Sequence, residues 1–150
     1  MKMKSMKKLA LISLAAIAPG VMAASDTFTS SIVVLEPVSI SKTADLDFGS
    51  IFTDATTNVT VATTDAGAAA FTINGQTGSV VDVTVDSTAL MADGSGNDIA
   101  VNSITVDNAT PTLTGGTATV KIGGVADIAS ETTLVAGNYN GTVNITVAYQ

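Results

Sequence analysis

Cysteine, histidine, tryptophan and arginine are all missing from the 150 residues, and proline occurs only three times. Without cysteine there is no disulfide framework and no thiolate nucleophile, so the fold must hold by packing and strand pairing. Without histidine, Ser-His-Asp and Cys-His arrangements and imidazole metal sites are excluded, and carboxylates are the main groups left for chemistry. Long apolar runs are scarce too. The longest, LALISLAAIA, covers ten residues, too few for a helix to cross about 30 Å of hydrocarbon.

Positive charge is rare, and most of it sits at the start. MKMKSMKK is cationic, the apolar run follows, and the small residues of PGVMAA come next. That order predicts a secretory signal peptide over residues 1–23, cut after Ala23 or Ala24. Its removal takes Lys2, Lys4, Lys7 and Lys8 and leaves thirteen carboxylates against Lys42 and Lys121, a net charge near −11. Binding a phosphate backbone depends on neutralising phosphates with Lys and Arg. Nucleic acid and anionic lipid are accordingly not expected as partners, and no membrane anchor is expected. The remaining stretch of about 127 residues fits a single domain with one core.

Twenty-three threonines, all after residue 23, stand among many valines and isoleucines. Such β-branched side chains suit a pleated strand. Alternation of period two recurs at 58–63, 70–74, 80–86, 99–106, 117–123 and 141–149, with turn signals at Asn74-Gly75, Asp93-Gly94, Gly115-Gly116 and Asn140-Gly141. Short strands separated by turns predict an all-β fold, an antiparallel immunoglobulin-like sandwich. AGAAA at 66–70 is too short to sustain a helix and reads as a loop leading into a strand.

Candidate chemistry is thin. Asp45 and Asp47 in ADLDFG share one face of an extended chain, which is the arrangement of a solvated acidic face or, alternatively, of an acid–base pair. Asp93, Ser95 and Asn97 alternate in DGSGND, as in part of a calcium loop, but the glycine at the sixth position and the glutamate at the twelfth are absent. A polar turn accounts for the same residues. No catalytic residue, cofactor or metal is assigned, and the Asn-x-Thr sequons at Asn58, Asn108, Asn140 and Asn144 follow from the abundance of threonine.

Two stretches stand out. In GTVNITVAYQ the residues Val143, Ile145, Val147 and Tyr149 fall on one face and Thr142, Asn144, Thr146 and Ala148 on the other. A sequence that finishes on so regular a strand gives that strand a task. Ahead of Pro37, the residues Phe28, Ser30, Ile32 and Val34 also alternate, and the proline then ends the strand pattern.

The ending resembles the carboxyl-terminal motif of chaperone–usher pilins. Gly137 is the fourteenth residue from the end, Tyr149 is penultimate, and Val143, Ile145 and Val147 fill the interval. LDFGSI at 46–51 and GNYNGTVNITVAY are similar to segments of archaic spore-coat U-like pilins and of the exported family called domain of unknown function 4402. The cysteine pair common in those pilins is absent here. The resemblance implies a sandwich lacking one strand, and an extension, residues 24–36, that donates its strand to the groove of a neighbouring domain, residues 37–150. Phe28, Ser30, Ile32 and Val34 would be the donor residues. Gly137, Val143, Ile145, Val147 and Tyr149 would line the groove and pair with a chaperone. The implied function is that of a structural subunit of a fimbria or pilus, a homopolymer built by donor-strand complementation. It would be carried through the periplasm by a chaperone, exported by an outer-membrane usher, and be neither enzyme nor cofactor binder. A self-contained secreted sandwich that binds a glycan or surface protein, with Ser25–Leu35 paired inside its own chain, is the other reading.

Overall fold

Alternating Val, Ile and Thr yield strands throughout, and no helix forms among the described residues, 24–150, of the computed structural model. The predicted signal peptide lies outside the described residues. The strands are β1 (Ser39–Ala44), β2 (Val59–Val61), β3 (Ala69–Asn74), β4 (Val81–Val85), β5 (Ala89–Ala92), β6 (Asp98–Val106), β7 (Thr117–Ala126), β8 (Asn140–Gly141) and β9 (Ile145–Tyr149). The chain divides into two units, one ending at Val33 and the other running from Val34 to Gln150. In the first, residues 24–33 form no strand and are exposed.

In the second unit all named pairings are antiparallel, and the arrangement is that of a curled sandwich. The larger sheet runs β1-β3-β7-β6-β5-β8, with β2 also on β7, and the smaller is β4-β9. Along one edge β7 pairs first with β3 and then, past Ile122, with β2. Residues 109–113 extend the small sheet along β4, where Val81 and Val83 donate to the carbonyls of Pro111 and Ala109 at 3.1 and 2.8 Å and Leu113 donates to Ser79 at 2.9 Å.

The large sheet bends at one level. Opposite Gly123, β6 carries an extra residue between Asn102 and Thr105, and Ser103 adopts φ +52°, the only positive value for a non-glycine among the described residues. This is a β-bulge, which kinks a strand and raises its twist. Its effect shows in the side chains: Ile99 and Val101 point inward, and then Ile104 and Val106 rather than Ser103 and Thr105. Gly123 is required here because a Cβ would run into the Val61 carbonyl and the Thr63 amide.

Buried side chains form three clusters in sequence along β7. The first joins Ile73, Leu113 and Val120 to Val81 and Val83 of the small sheet, with Val38, Ile40, Ile145, Val147 and Tyr149 at its margin. The middle one centres on Ala69, Val101, Ile104 and Ile122. The third, Ile99, Ala126 and Ile128, lies beyond the bend. Burial of these apolar surfaces at roughly 25 cal/mol per Å² is the main stabilising term, as no disulfide contributes.

Several sequence expectations need correction. Asn74-Gly75 does end β3, with the turn itself at 76–78, but it closes no hairpin: the chain passes there from the large sheet to the small one. Asn140-Gly141 is not a turn either, because both residues pair with β5 as β8. The predicted strand 141–149 is therefore two, β8 on the large sheet and β9 on the small one. Strand β5 was not expected, since Ala-Leu-Met-Ala offers helix formers and no β-branched residue. Asp93-Gly94 does form the β5–β6 hairpin loop, with φ +77° at Gly94 and +102° at Gly96.

Candidate functional site: an open groove between two free strand edges

Among the described residues, strands β1 and β9 each pair along one edge only, β1 with β3 and β9 with β4. Their other edges flank the same core. Val38 and Ile40 approach the first cluster from one side, and Ile145, Val147 and Tyr149 approach it from the other. Toward the ends of these strands farther from Tyr149 the groove opens into a cavity of about 560 Å³, walled by Ala44, Leu46 and Phe48 and by Val143 and Ile145. Phe71, Met91, Val101 and Ile122 form its floor. A second cavity of about 810 Å³ continues from it beneath residues 49–53 and 134–140, sharing Leu46, Phe48 and Tyr139.

The alternation of the final strand is as expected. Val143, Ile145, Val147 and Tyr149 are half-buried on the groove side, and Thr142, Asn144, Thr146 and Ala148 are exposed. The outer face is tied to β4. Asn144 donates from its backbone N–H and from Nδ2 to Asp86 Oδ2 at 3.0 and 2.7 Å, and Gln150 Nε2 donates to Asp82 Oδ1 at 2.7 Å. Those bonds hold β9 in register while its groove edge keeps a row of unpaired backbone groups, the condition that invites another strand.

Tyr149 closes one end of the groove. Its hydroxyl accepts from the Gln76 N–H at 2.7 Å and donates to the Glu36 carbonyl at 2.6 Å. Gly75 is buried against it, and a Cβ at that position would strike the hydroxyl. This latch was not foreseen. Asn74-Gly75 carried the signal, but the glycine serves close approach, not a turn.

At the other end, LDFG has a physical basis: Leu46 and Phe48 point inward, Asp45 and Asp47 outward, and Gly49 takes φ +75°. The two aspartates are engaged separately, Asp45 with the Lys42 ammonium and Asp47 with the Gly49 N–H at 2.8 Å. Gly137, expected among the groove residues, is exposed in a bend before β8 and lines the second cavity instead. Tyr139, not singled out from the sequence, donates its hydroxyl to the Val135 carbonyl at 2.9 Å and packs on the third cluster.

The Asp93 loop is occupied by its own chain. Asp93 accepts from Asn97 Nδ2 at 2.7 Å and from the N–H groups of Ser95 and Asn97 at 2.7 and 3.1 Å. The Asn97 side chain first, and then the Ser95 amide, hold its pKa below the ordinary carboxylate value. Of the donor residues expected ahead of Pro37, Phe28, Ile32 and Val34 are highly exposed and Ser30 is exposed as well.

No curated protein matches the sequence. The family model that does match runs from Val38, just past Pro37, to Tyr149, and so takes in every strand from β1 to β9 and both walls of the groove. Over residues 38–149 the chain matches, and belongs to, the family described as domain of unknown function (DUF4402).

Proposed function

We propose that the protein is a structural subunit of an extracellular fibre, each copy filling its groove with the extension of the next. The observation that carries this reading is the pair of free edges, β1 and β9, facing one groove lined by half-buried apolar side chains. A strand laid there pairs with unpaired backbone groups and seats alternate side chains in the cavities, the mode of β-strand addition. Phe28, Ser30, Ile32 and Val34 supply the alternation, and ten residues at about 3.3 Å each span about 33 Å, more than the five or six residues of either edge.

A groove of this kind is an aggregation hazard while empty. The proposal therefore includes a periplasmic chaperone that covers it in transit and an outer-membrane usher where exchange occurs, with the signal peptide directing export. It assigns no catalysis. The test compares the chain with a variant lacking residues 25–35. The full chain is expected to give detergent-resistant ladders in the cold, and the deletion variant to bind chaperone as a single copy without polymerising. A stable monomeric full chain beside an unfolded deletion variant would sink the proposal and leave a self-contained secreted sandwich.

A further inference from the structure

The extension is not uniformly two-faced. On the side opposite Phe28, Ser30, Ile32 and Val34 stand Thr27, Thr29 and Ser31, and then Val33 and Leu35. From Ile32 to Leu35 four apolar residues run without a break. Alternation marks a strand covered on one face, and a continuous apolar run marks one covered on both. The carboxyl-terminal half of the extension is thus built for cover on its outward side, which a groove alone does not give.

The second unit carries apolar surface suited to that role. Phe52 is 84 % exposed, and Ile51 and Val135 are 41 % and 43 % exposed. All three line the cavity that continues the groove past Ile145. The rim around them is acidic, with Asp45 and Asp47 exposed. In a mature chain near −11, the stretch 27–35 is uncharged, and only Glu36 at its root brings a negative charge near that rim.

We propose that the loop holding Ile51 and Phe52 closes over the outward face of the inserted strand, covering Val33 and Leu35 of a second copy. This rests on the fibre reading and adds a direction to it. Only a strand antiparallel to β9 brings residues 33–35 to the Ile145 end, where the loop is, and Phe28 to the Tyr149 end. The loop is then a specificity element. It recognises an extension that is apolar on both faces near its root, and it rejects one that alternates to the end.

The absence of cysteine makes the test direct. Leu35→Cys chains and size-tagged Phe52→Cys chains are mixed, assembled and oxidised. A covalent pair of one tagged and one untagged copy is expected after boiling in detergent without reductant. Thr29→Cys in place of Leu35→Cys should give none, because it lies about 20 Å farther along the strand. A link through position 29 and not 35 would reverse the direction and overturn the proposal. Independently, Phe52→Ser should leave monomer unfolding unchanged, and its multimers should dissociate on the order of tenfold faster on warming in detergent. Wild-type ladders with no 35–52 link and no faster loss in Phe52→Ser would refute the loop's role alone. A wild-type chain that forms no ladders would refute the fibre reading with it.

Discussion

Replacing Tyr149 with Phe keeps the ring and removes one oxygen that serves two backbone groups. Glu36 is exposed, so water can take its carbonyl when the hydroxyl goes. The Gln76 N–H, next to buried Gly75, loses a 2.7 Å bond with less access to solvent. A net hydrogen bond contributes about 0.5–1.5 kcal/mol and an orphaned donor costs somewhat more, so the expected loss is about 1–2 kcal/mol. For a domain of this size that lowers Tm by about 3–8 °C. The more searching version is a double-mutant cycle with Gly75→Ala, measured by urea unfolding of the monomer. Alone, Gly75→Ala drives a Cβ onto the Tyr149 hydroxyl and to 3.0 Å from Leu113 Cδ1, an overpacking of about 1–3 kcal/mol. With Phe at 149 part of the clash is gone, and the second substitution should cost at least about 0.5 kcal/mol less than it does alone. A Tyr149→Phe variant as stable as wild type, or costs that add, would show that the hydroxyl does not latch the groove end and that Gly75 is there for another reason.

Ile145→Asn puts a polar amide on the groove face and should cost about 2 kcal/mol or more, with Thr146→Asn on the exposed face costing less than about 0.5 kcal/mol; equal losses in thermal unfolding would mean that both faces of β9 are covered alike. Gly141→Ala, whose Cβ would meet the Leu90 carbonyl, should break the β5–β8 pairing and raise hydrogen exchange at Met91 and Ala92 without loosening β4–β9. The Asp93 carboxylate is more acidic in the folded chain than in the unfolded one. It therefore favours folding fully above the ordinary Asp value, and that contribution disappears as pH falls from about 4 through the lowered value. Asp93→Asn should flatten the dependence in that window, and an unchanged urea midpoint across it in both proteins would contradict the bonds drawn to Ser95 and Asn97.

Much of this architecture is legible in the residues, and the failures have physical causes. Strands with β-branched alternation, such as Val81–Val85 and Ala69–Asn74, are read correctly because propensity and burial agree there. The bulge at Ser103 was written in the sequence as Ile99, Val101, Ile104, Val106, a break in parity that a strict period of two overlooks. Strand β5 has no such signal: its conformation is imposed by pairing with β6 and β8. Dipeptides ending in glycine mark either a positive φ or a close approach. Gly94 and Gly115 are of the first kind, Gly75 and Gly141 of the second, and nothing local separates them. The groove face of β9 was readable from its own alternation. Its floor and far wall were not, because Phe71, Met91, Val101 and Ile122 come together only through pairing between distant strands.

The bend at Gly123 and Ser103 settles a mismatch of areas. Ten residues of β7 extend about 33 Å, whereas β4 and β9 hold five residues each and roof about half that length. A flat large sheet would leave its upper half bare. Curled at the bulge, the sheet leaves only its lower part to be roofed by β4 and β9, and the third cluster gathers Ile128, Leu134 and Tyr139 without a single residue from either strand. The large sheet is thus longer than the sandwich it takes part in. The groove inherits the difference, walled by strands where two layers face each other and by loops where only one layer exists. Residues in those loops can change from one protein to another without disturbing a ladder, so that end is where the groove of one family member can come to differ from that of another.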